Sequence, residues 1–455
     1  MPKKKTALTI EERLQQALVP AEEQPYEVPE NWVWVRLGAI AEIVTGGTPS
    51  KKHPEYYGGN FPFYKPSDLD QGRLTYDASE YLSEEGKKVS RIIPKNSTAV
   101  CCIGSIGKCG YLMCEGTTNQ QINSAIPKIN SLCLYYYLCT ENFVQNLFSM
   151  ASATTIAIVN KSKMESCAFP LPPLSEQQRI VERIEELFAK LDEAKERLQE
   201  VAESFAVRKA AILHKAFTGE LTKQWRRENG VSDESWEEKL LGDVCTVNPK
   251  KIDAKNLDDN LEVSFVPMAA VSDVLGEIVN HEVKNLQDVR TGFTNFSKGD
   301  VIFAKITPCM ENGKSAIVGP LVNDIGYGST EFYVLRCKEE LNNKYLYHMV
   351  RNTTFRAEAK AVMTGAVGQQ RVPKTFLQEY QLLLPTLSEQ HEIVRLIDEL
   401  LARERKAQQA TEQALASIDL MKKSILARAF RGELGTNKAS EASALELLKQ
   451  VLAEN

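Results

Sequence analysis

The 455-residue sequence lacks any hydrophobic run of the roughly 18 residues that a membrane-spanning helix needs. Its first residues, MPKKKTALTIEERLQQ, reach Glu11 and Glu12 before any apolar stretch begins, so we expect no signal peptide, no membrane contact and a cytoplasmic protein. Basic residues number 55 and acidic residues 60, a formal net charge of −5. We therefore do not expect this chain to bind nucleic acid alone through a broad basic surface. Binding of nucleic acid would need local basic patches or a partner.

The sequence also lacks the common catalytic and metal-binding motifs. Residues 104–108, Gly-Ser-Ile-Gly-Lys, do not have the Gly-x4-Gly-Lys-Ser/Thr spacing of a phosphate-binding loop, so a turn between two strands is expected. The ten cysteines form no paired Cys-x2-Cys and are expected to be reduced, and the five histidines form no His-Glu-x-x-His. Asn248-Pro249 lacks the second proline and the aromatic residue of an adenine methyltransferase, and Glu358-Ala-Lys360 is expected on a solvated helix face. We predict no catalytic residue, no metal ligand and no cofactor.

A long internal repeat is the strongest feature that the sequence does contain. Residues 171–221 and 384–434 align without a gap at an offset of 213, and 22 of the 51 positions are identical. About three identities are expected from background residue frequencies. The identities concentrate in the opening Leu-Ser-Glu-Gln and in the closing Phe-x-Gly-Glu-Leu, which indicates a duplication whose length was kept.

Each copy of the repeat predicts one helix of about 40 residues. In the first copy, apolar residues recur at alternating spacings of four and three from Ile180 through Val201 to Ile212, broken only at Arg208. The second copy has a weaker seam from Ile393 to Ile425, which includes Glu404, Ala407, Thr411 and Met421. Such a helix is roughly 60 Å long at about 1.5 Å per residue. Because the second helix starts where the second globular block ends, we expect an antiparallel coiled-coil pair with an approximate two-fold axis.

The pattern of the rest of the chain predicts two diverged α+β blocks with many loops. Each block has short apolar runs that are broken by glycine, proline and asparagine. The expected organisation is an N-terminal arm at 1–30, a first domain at 31–170, a first spacer helix at 171–221, a linker at 222–235, a second domain at 236–383, a second spacer helix at 384–434 and a C-terminal tail at 435–455. The tail is expected to contain a short helix.

Several long motifs follow this organisation. Beside the two repeats, they include EEQPYEVPENWVWVRLG, then GGTPSKKHPEYYGGNFPFYKPSDL, GSIGKCGY, TTNQQIN and TTIAIVNKSKM in the first block, and FVPMAAVSDVLGEI, FSKGDVIFAKITPCMENGKSA, GYGSTEFYVLR and GAVGQQRVPKTFL in the second. Together they resemble the specificity subunits of type I restriction-modification systems over almost the whole chain. The resemblance implies a non-catalytic subunit that reads double-stranded DNA through two target-recognition domains. It also implies docking of two modification (methyltransferase) subunits and of restriction subunits.

Candidate DNA contacts are polar residues in loops interrupted by glycine or proline, because Asn and Gln can bond adenine through two hydrogen bonds and Lys or Arg can bond guanine. The candidates in the first block are Lys51, Lys52, Lys65, Ser67, Asn119 and Gln120. Those in the second are Lys305, Thr307, Asn312, Lys314, Gln369, Gln370 and Arg371. For each of them an ordinary loop or phosphate-contacting role is the alternative.

The duplicated boxes supply candidate contacts with a partner protein. We expect exposed polar side chains there to dock the partner, and helix capping is the alternative role. These residues are Glu176, Gln177, Glu389 and Gln390.

Two other classes of protein remain as alternatives. A self-sufficient DNA-modifying enzyme, such as a fused methyltransferase-nuclease, would need cofactor motifs that the sequence lacks. A structural coiled-coil organiser would explain the two long helices but not two large, divergent, loop-rich domains. Specific DNA binding, measured with and without a co-purified modification subunit, separates the three classes.

The long helices are predicted to set the distance between two DNA half-sites. Removing one heptad from each, within 194–201 and 407–414, keeps the seam in register and shortens each helix by about 10 Å. That length equals about three base pairs at roughly 3.4 Å each. Methylation sequencing should show a shorter spacer between the half-sites or a loss of methylation. A fully active variant that keeps the original spacing would exclude this role.

Overall fold

The computed structural model describes residues 9–70, 74–152, 157–254, 256–366 and 368–454. The first eight residues of the predicted arm and part of the motif TTIAIVNKSKM lie outside the described residues. The chain divides into two compact units: unit 1 comprises Met1–Leu198 with Gln413–Asn455, and unit 2 comprises Gln199–Glu412. No helix in the part of the chain that the structure describes is long and apolar enough to cross a bilayer.

Unit 1 has an α+β fold, as the sequence predicts. Its strands are β1 Val33–Arg36, β2 Ala41–Thr45, β3 Tyr57–Tyr64, β4 Leu74–Thr75, β5 Glu80–Leu82, β6 Thr98–Cys101, β7 Cys109–Leu112, β8 Thr117–Thr118, β9 Ile122–Pro127 and β10 Ala168–Leu171. They form a sheet ordered β2-β9-β6-β7-β4, a sheet ordered β5-β3-β8 and the pair β1-β10. Gly104 and Gly107 have positive φ in the turn between the antiparallel β6 and β7, which confirms the turn expected at 104–108.

Unit 1 contains short helices, one part of each long helix and a C-terminal helix. They are α1 Ile10–Ala17, α2 Leu37–Ile40, α3 Glu84–Lys88, α4 Ser131–Leu138, α5 Glu141–Met150, α6 Lys161–Glu165, the first part of α7 Leu174–Phe217, the last part of α14 Leu387–Ala429, and α15 Ala444–Ala453. The sequence of α4, SLCLYYYL, is apolar on every side, and the helix is accordingly buried. Helix α15 is the short helix expected in the tail, and its Ala444, Leu448 and Leu452 belong to the main core.

Unit 2 repeats this plan with different loops. Its strands are β11 Glu237–Leu240, β12 Cys245–Val247, β13 Glu262–Val266, β14 Glu282–Asn285, β15 Thr294–Phe296, β16 Val301–Ala304, β17 Ser315–Ile317, β18 Gly326–Gly328, β19 Phe332–Cys337 and β20 Gln381–Leu384. They form sheets ordered β12-β19-β16-β17 and β14-β13-β18-β15 and the pair β11-β20. Its helices are α8 Lys223–Glu228, α9 Leu241–Val244, α10 Leu286–Val289, α11 Asn343–Arg351, α12 Thr353–Ala361 and α13 Lys374–Glu379, with the remaining parts of α7 and α14.

A short strand pair positions the start of each long helix. In unit 1, β1 pairs antiparallel with β10, so Val33 lies opposite Leu171 just before α7 begins. In unit 2, β11 pairs antiparallel with β20, so Glu237 lies opposite Leu384 just before α14 begins. The same connection in both units supports the predicted duplication of the two globular blocks.

The two long helices pack antiparallel within each unit. In unit 1, Ile180, Val181 and Ile184 near the start of α7 share one core with Leu426 and Phe430 near the end of α14. In unit 2, Leu213 and Ala216 near the end of α7 share a core with Ile393, Val394 and Ile397 near the start of α14. The antiparallel arrangement predicted from the connectivity is therefore correct.

The predicted helix seam is wrong at three positions, since Ala407 of α14 is exposed as well as Val201 and Met421. Val201 of α7 is 40% exposed and Met421 of α14 is 50% exposed, although both belong to the strict heptad pattern. A straight α-helix has 3.6 residues per turn, so a repeat of 3.5 residues rotates by about 20° per heptad relative to the buried face. Leu213, outside the predicted seam, is buried in place of the half-buried Ile212.

Candidate nucleic-acid interface

The candidate DNA contacts of unit 2 lie on two loops that backbone hydrogen bonds hold together. Strand β16 ends at Ala304, and the next residues pair with the segment that precedes α13. The Thr307 amide donates to the carbonyl of Gln370 at 3.0 Å, and the Val372 amide donates to the carbonyl of Lys305 at 2.9 Å. Ile306 and Arg371 also form a β-bridge. The structure thus brings Lys305, Thr307, Gln370 and Arg371 to one surface.

Glu331 pairs with Arg371 on this surface, although it was not among the candidates predicted from the sequence. Its carboxylate accepts hydrogen bonds from Arg371 Nε at 2.9 Å and Arg371 Nη2 at 2.7 Å. These two hydrogen bonds lower the pKa of Glu331. Partial burial lowers the pKa of Lys305, while the nearby Glu331 carboxylate opposes that shift. The only sequence signal for Glu331 is its place in the motif GYGSTEFYVLR, directly before β19.

The remaining polar side chains of these loops differ in how firmly they are held. Lys314 Nζ donates to the carbonyl of Met268 at 3.2 Å and is half-buried. Asn312 and Gln369 are exposed, and Gln370 is half-buried. A flexible, exposed amide has both a donor and an acceptor to offer a base edge. Gln369 and Asn312 therefore fit base reading better than the anchored Lys314 does.

Four of the six candidates of unit 1 lie around the end of β3. The Asn119 amide donates to the carbonyl of Tyr64 at 3.0 Å, next to Lys65, and the Thr48 hydroxyl donates to Gln120 Oε1. Gly46 permits this arrangement, because a Cβ there would lie 2.1 Å from the carbonyl oxygen of Asn119. Lys65 Nζ lies 2.7 Å from Glu80 Oε2, and Ser67 is exposed beside it.

The other two candidates, Lys51 and Lys52, are exposed on the turn between β2 and β3. Asn119 is 8% exposed, and its side chain receives the Gln121 amide at 3.0 Å and donates to Gln121 Oε1 at 3.0 Å. Those contacts give Asn119 a structural role within its turn. The lysines, Ser67 and Gln120 remain accessible to a ligand.

The expectation that Glu176, Gln177, Glu389 and Gln390 are exposed is wrong, because all four side chains are fully buried. Gln177 Oε1 accepts the Asn130 amide at 3.1 Å, and Gln390 Oε1 accepts the Asn342 amide at 2.8 Å. Each glutamine thereby fixes the N-cap residue of α4 or α11 on its long helix. These side chains stabilise the units, and a partner cannot reach them without rearrangement.

The two buried glutamates bind the segments that follow the ends of the long helices. In unit 1, Glu176 Oε2 accepts hydrogen bonds from Trp32 Nε1 at 2.7 Å and Asn437 Nδ2 at 2.8 Å. In unit 2, Glu389 Oε1 accepts from Arg226 Nη1 at 2.7 Å and from the Thr222 hydroxyl at 2.7 Å. A buried carboxylate is costly unless it is paired or hydrogen-bonded, so each network fixes one helix start beside the other helix end.

The region expected to be a polar linker, 222–235, is therefore firmly anchored in unit 2. It contains α8, and the Arg226 side chain is only 7% exposed. Besides Glu389, Arg226 contacts the carbonyl of Gly219 at 2.9 Å and Asp233 at 3.0 Å. A buried arginine could not be predicted here, because the neighbouring residues 223–228 are mostly charged or polar.

A match to a known protein family identifies the family of this chain. The family model described as "Type I restriction modification DNA specificity domain" matches residues 29–203 and 233–414, one match for each globular block with its following helix. The chain belongs to this family. The resemblance inferred from the duplicated boxes is thereby confirmed.

Individual specificity subunits match all or part of the chain. The EcoEI specificity subunit of Escherichia coli is 33% identical over 263 residues, which cover 49% of this chain and 44% of that protein. The chain thus spans less than half the length of this relative, and the same holds for the EcoAI subunit at 32% identity. The StySPI subunit of Salmonella potsdam is 23% identical over 456 residues, covering 94% of this chain and 96% of that protein.

Solved structures support the fold assignment. The HsdS subunit from Thermoanaerobacter tengcongensis has a TM-score of 0.64 at 19% sequence identity, covering 90% of this chain and 99% of that chain. A chain from a structural study of complex assembly in the type I R-M system has a TM-score of 0.64 at 18% identity. At these identities the likeness shows that this chain shares the fold of those two chains.

The buried ion pair should contribute strongly to the stability of unit 2. Arg226→Met leaves Glu389 as a buried carboxylate without its cation, which typically costs about 3–5 kcal/mol. The midpoint of thermal unfolding, measured by scanning calorimetry, should fall on the order of 10 °C. Arg395→Met is the control, because Arg395 pairs with Glu392 and Glu399 on the helix surface, where an ion pair contributes about 1 kcal/mol or less. Equal midpoints for the two variants would contradict the structural role of Arg226.

Proposed function

We propose that the chain is the non-catalytic subunit that gives a type I restriction-modification complex its DNA sequence specificity, acting in the cytoplasm. Each unit carries one α+β domain with its own set of polar loops, and the two sets differ. Two unlike readers on one chain favour a bipartite, asymmetric DNA site with unread bases between its halves. One observation carries this proposal. The strand pairs and the contacts of the long helices are equivalent in the two units, while the polar loops differ.

In unit 2, we assign base reading to the joined loops around Arg371. Gln369, Gln370 and Asn312 offer amide groups that suit adenine, while Arg371 and Lys305 suit guanine or phosphate. The two hydrogen bonds that Arg371 donates to Glu331 hold the guanidinium in one orientation before DNA arrives. A fixed guanidinium loses little conformational entropy when it contacts a base.

In unit 1, the corresponding proposal rests on Lys51, Lys52, Lys65, Ser67 and Gln120. Gln120 and Thr48 are hydrogen-bonded to each other on one surface, and the exposed lysines lie on the neighbouring turn. Lysine is a compact point charge that suits phosphate as well as guanine. We assign the lysines of this unit mainly to the DNA backbone and Gln120 to a base edge.

We propose that two modification subunits dock on the long helices and that restriction subunits join them. Methylation of DNA and ATP-driven cleavage would then belong to these partners. Leu174 and Leu387, at equivalent positions of the duplicated boxes, are 56% and 42% exposed. An exposed leucine at the same position of both repeats supports one docking contact per repeat, and hence two copies of one partner. This contact replaces the buried glutamates and glutamines as the docking candidates.

The function is tested by measuring DNA binding of the full chain with and without its co-expressed modification subunits. The complex should prefer the duplex that the complete system methylates over an unrelated duplex, typically by about 10³-fold or more. A structural organiser would show no such preference. A self-sufficient enzyme would bind S-adenosylmethionine and methylate DNA without any partner, which calorimetry and a methylation assay of the purified chain detect.

The loop assignment predicts a loss of sequence preference without a loss of stability. Gln369→Ala combined with Gln370→Ala should weaken binding of the cognate duplex by about 1–3 kcal/mol per lost base contact and leave binding of unrelated DNA unchanged. The midpoint of thermal unfolding should not move. Gln408→Ala with Gln409→Ala is the matched control, two adjacent exposed glutamines on α14. The assignment fails if both double variants bind cognate DNA as the unaltered complex does.

A further inference from the structure

One pair of equivalent positions in the duplicated helices carries opposite charges in unit 1 and like charges in unit 2. In unit 1, Lys422 of α14 forms an ion pair with Asp192 of α7. At the offset of 213, Lys209 corresponds to Lys422 and Arg405 corresponds to Asp192. The ion pair of unit 1 is therefore replaced in unit 2 by two cations, a lysine on α7 and an arginine on α14.

Two further cations of unit 2 also stand where unit 1 has uncharged residues. Helices α4 and α5 correspond to α11 and α12, because the N-caps Asn130 and Thr140 of the first pair match Asn342 and Asn352 of the second at an offset of 212. At this offset Arg351 stands at the place of Cys139. Arg356 stands at the place of Val144.

Side-chain contacts support this equivalence. In unit 1, the Tyr136 hydroxyl donates to Glu185 on α7 at 3.1 Å. At the corresponding place in unit 2, His348 Nε2 lies 3.2 Å from Asp398 Oδ1 on α14. The two short helices therefore pack on the long helix in the same way in both units. The four cations of unit 2 change the charge of this arrangement but not its geometry.

The four cations, Lys209, Arg351, Arg356 and Arg405, form what we call the cationic cluster. Arg351 donates to the carbonyls of Gly313 at 2.7 Å and Asp273 at 2.8 Å. Arg356 Nε donates to the carbonyl of Arg351 at 3.2 Å. Lys209 and Arg405 are exposed on their helices.

The cluster has no direct carboxylate partner: among the ion pairs of the described residues, none includes one of its four members. Three acidic side chains of unit 2 have other partners: Glu404 pairs with Arg208, Glu311 with Lys360, and Asp398 with Lys344 and His348. Desolvation by the surrounding protein lowers the pKa of Lys209, and the positive charges of Arg351, Arg356 and Arg405 lower it further.

Folding does not require this concentration of charge. Like charges that lie close to one another repel each other, and partial removal from water adds to the cost. Unit 1 builds the same frame with an ion pair, a cysteine and a valine at the equivalent positions. A bound anion would compensate the repulsion, so the cluster has the character of an anion-binding site.

We propose that the cationic cluster binds a backbone phosphate of the DNA, independently of base sequence. This inference rests on the proposed DNA-reading function. Guanidinium groups suit phosphate oxygens because their donors form a planar fork, and phosphate contacts position a protein on a duplex without reading it. A chain of net charge −5 that reads DNA needs such local patches of positive charge.

The decisive variant is Arg405→Asp, which recreates in unit 2 the ion pair of unit 1. It should leave the midpoint of thermal unfolding unchanged or raise it, because Lys209 gains a carboxylate partner. In contrast, DNA affinity of the complex with its modification subunits should fall at least about tenfold. The fall should be similar for cognate and unrelated duplexes, and the slope of log affinity against log salt should decrease by about one. Arg405→Gln should produce the same loss of affinity in a weaker form.

Lys406→Asp is the matched control, since it changes the net charge equally at the next, exposed position of α14. Fluorescence anisotropy with labelled duplexes at several salt concentrations gives affinity and slope together. The proposal is overturned if Arg405→Asp leaves both unchanged, if Lys406→Asp lowers both equally, or if Arg405→Asp releases the modification subunit, which would identify an acidic protein surface as the ligand. A wild-type complex without preference for its methylated site would instead refute the proposed function, and this inference with it.

Discussion

Two buried carboxylates determine which ends of the two long helices lie side by side in each unit. Glu176 and Glu389 occupy the same place in the duplicated boxes, and each is buried at the start of a long helix. Their hydrogen-bond donors include residues that follow the end of the other long helix, Asn437 in unit 1 and Arg226 in unit 2. Because a buried carboxylate needs such partners, each unit must contain the start of one helix and the end of the other.

This constraint separates what the two units share from what distinguishes them. The strand pairs β1-β10 and β11-β20, the glutamine contacts and the helix caps recur in both units. The loops around Gln120 and around Arg371 differ in length, charge and hydrogen bonding, and so does the surface that contains the cationic cluster. Under the proposed function, specificity would change in the loops while the strand pairs and long helices that join them stay the same.

Much of the fold could be predicted from the sequence, because a duplication and a helical periodicity are local signals. The antiparallel helices followed from connectivity, and the turn at Gly104 followed from glycine chemistry. Side-chain exposure was harder to predict: Glu176 and Gln177 look like surface residues, but tertiary contacts with Trp32 and Asn130 bury them. The roles of Arg226 and Glu331 depend on residues more than 30 positions away, so local pattern could not reveal them. Val201 and Met421 are exposed because helix geometry departs from a strict heptad.

The central claim is that each unit reads its own part of one DNA site. Methylation sequencing of a genome that carries the complete system tests it most directly, with the wild-type chain and with a chain in which the loop Gln369-Gln370-Arg371 is replaced. The account predicts two unlike half-sites separated by unread bases, and a change confined to one half when the loop is replaced. A simultaneous change in both halves, or a methylated motif without unread bases between its parts, would contradict it.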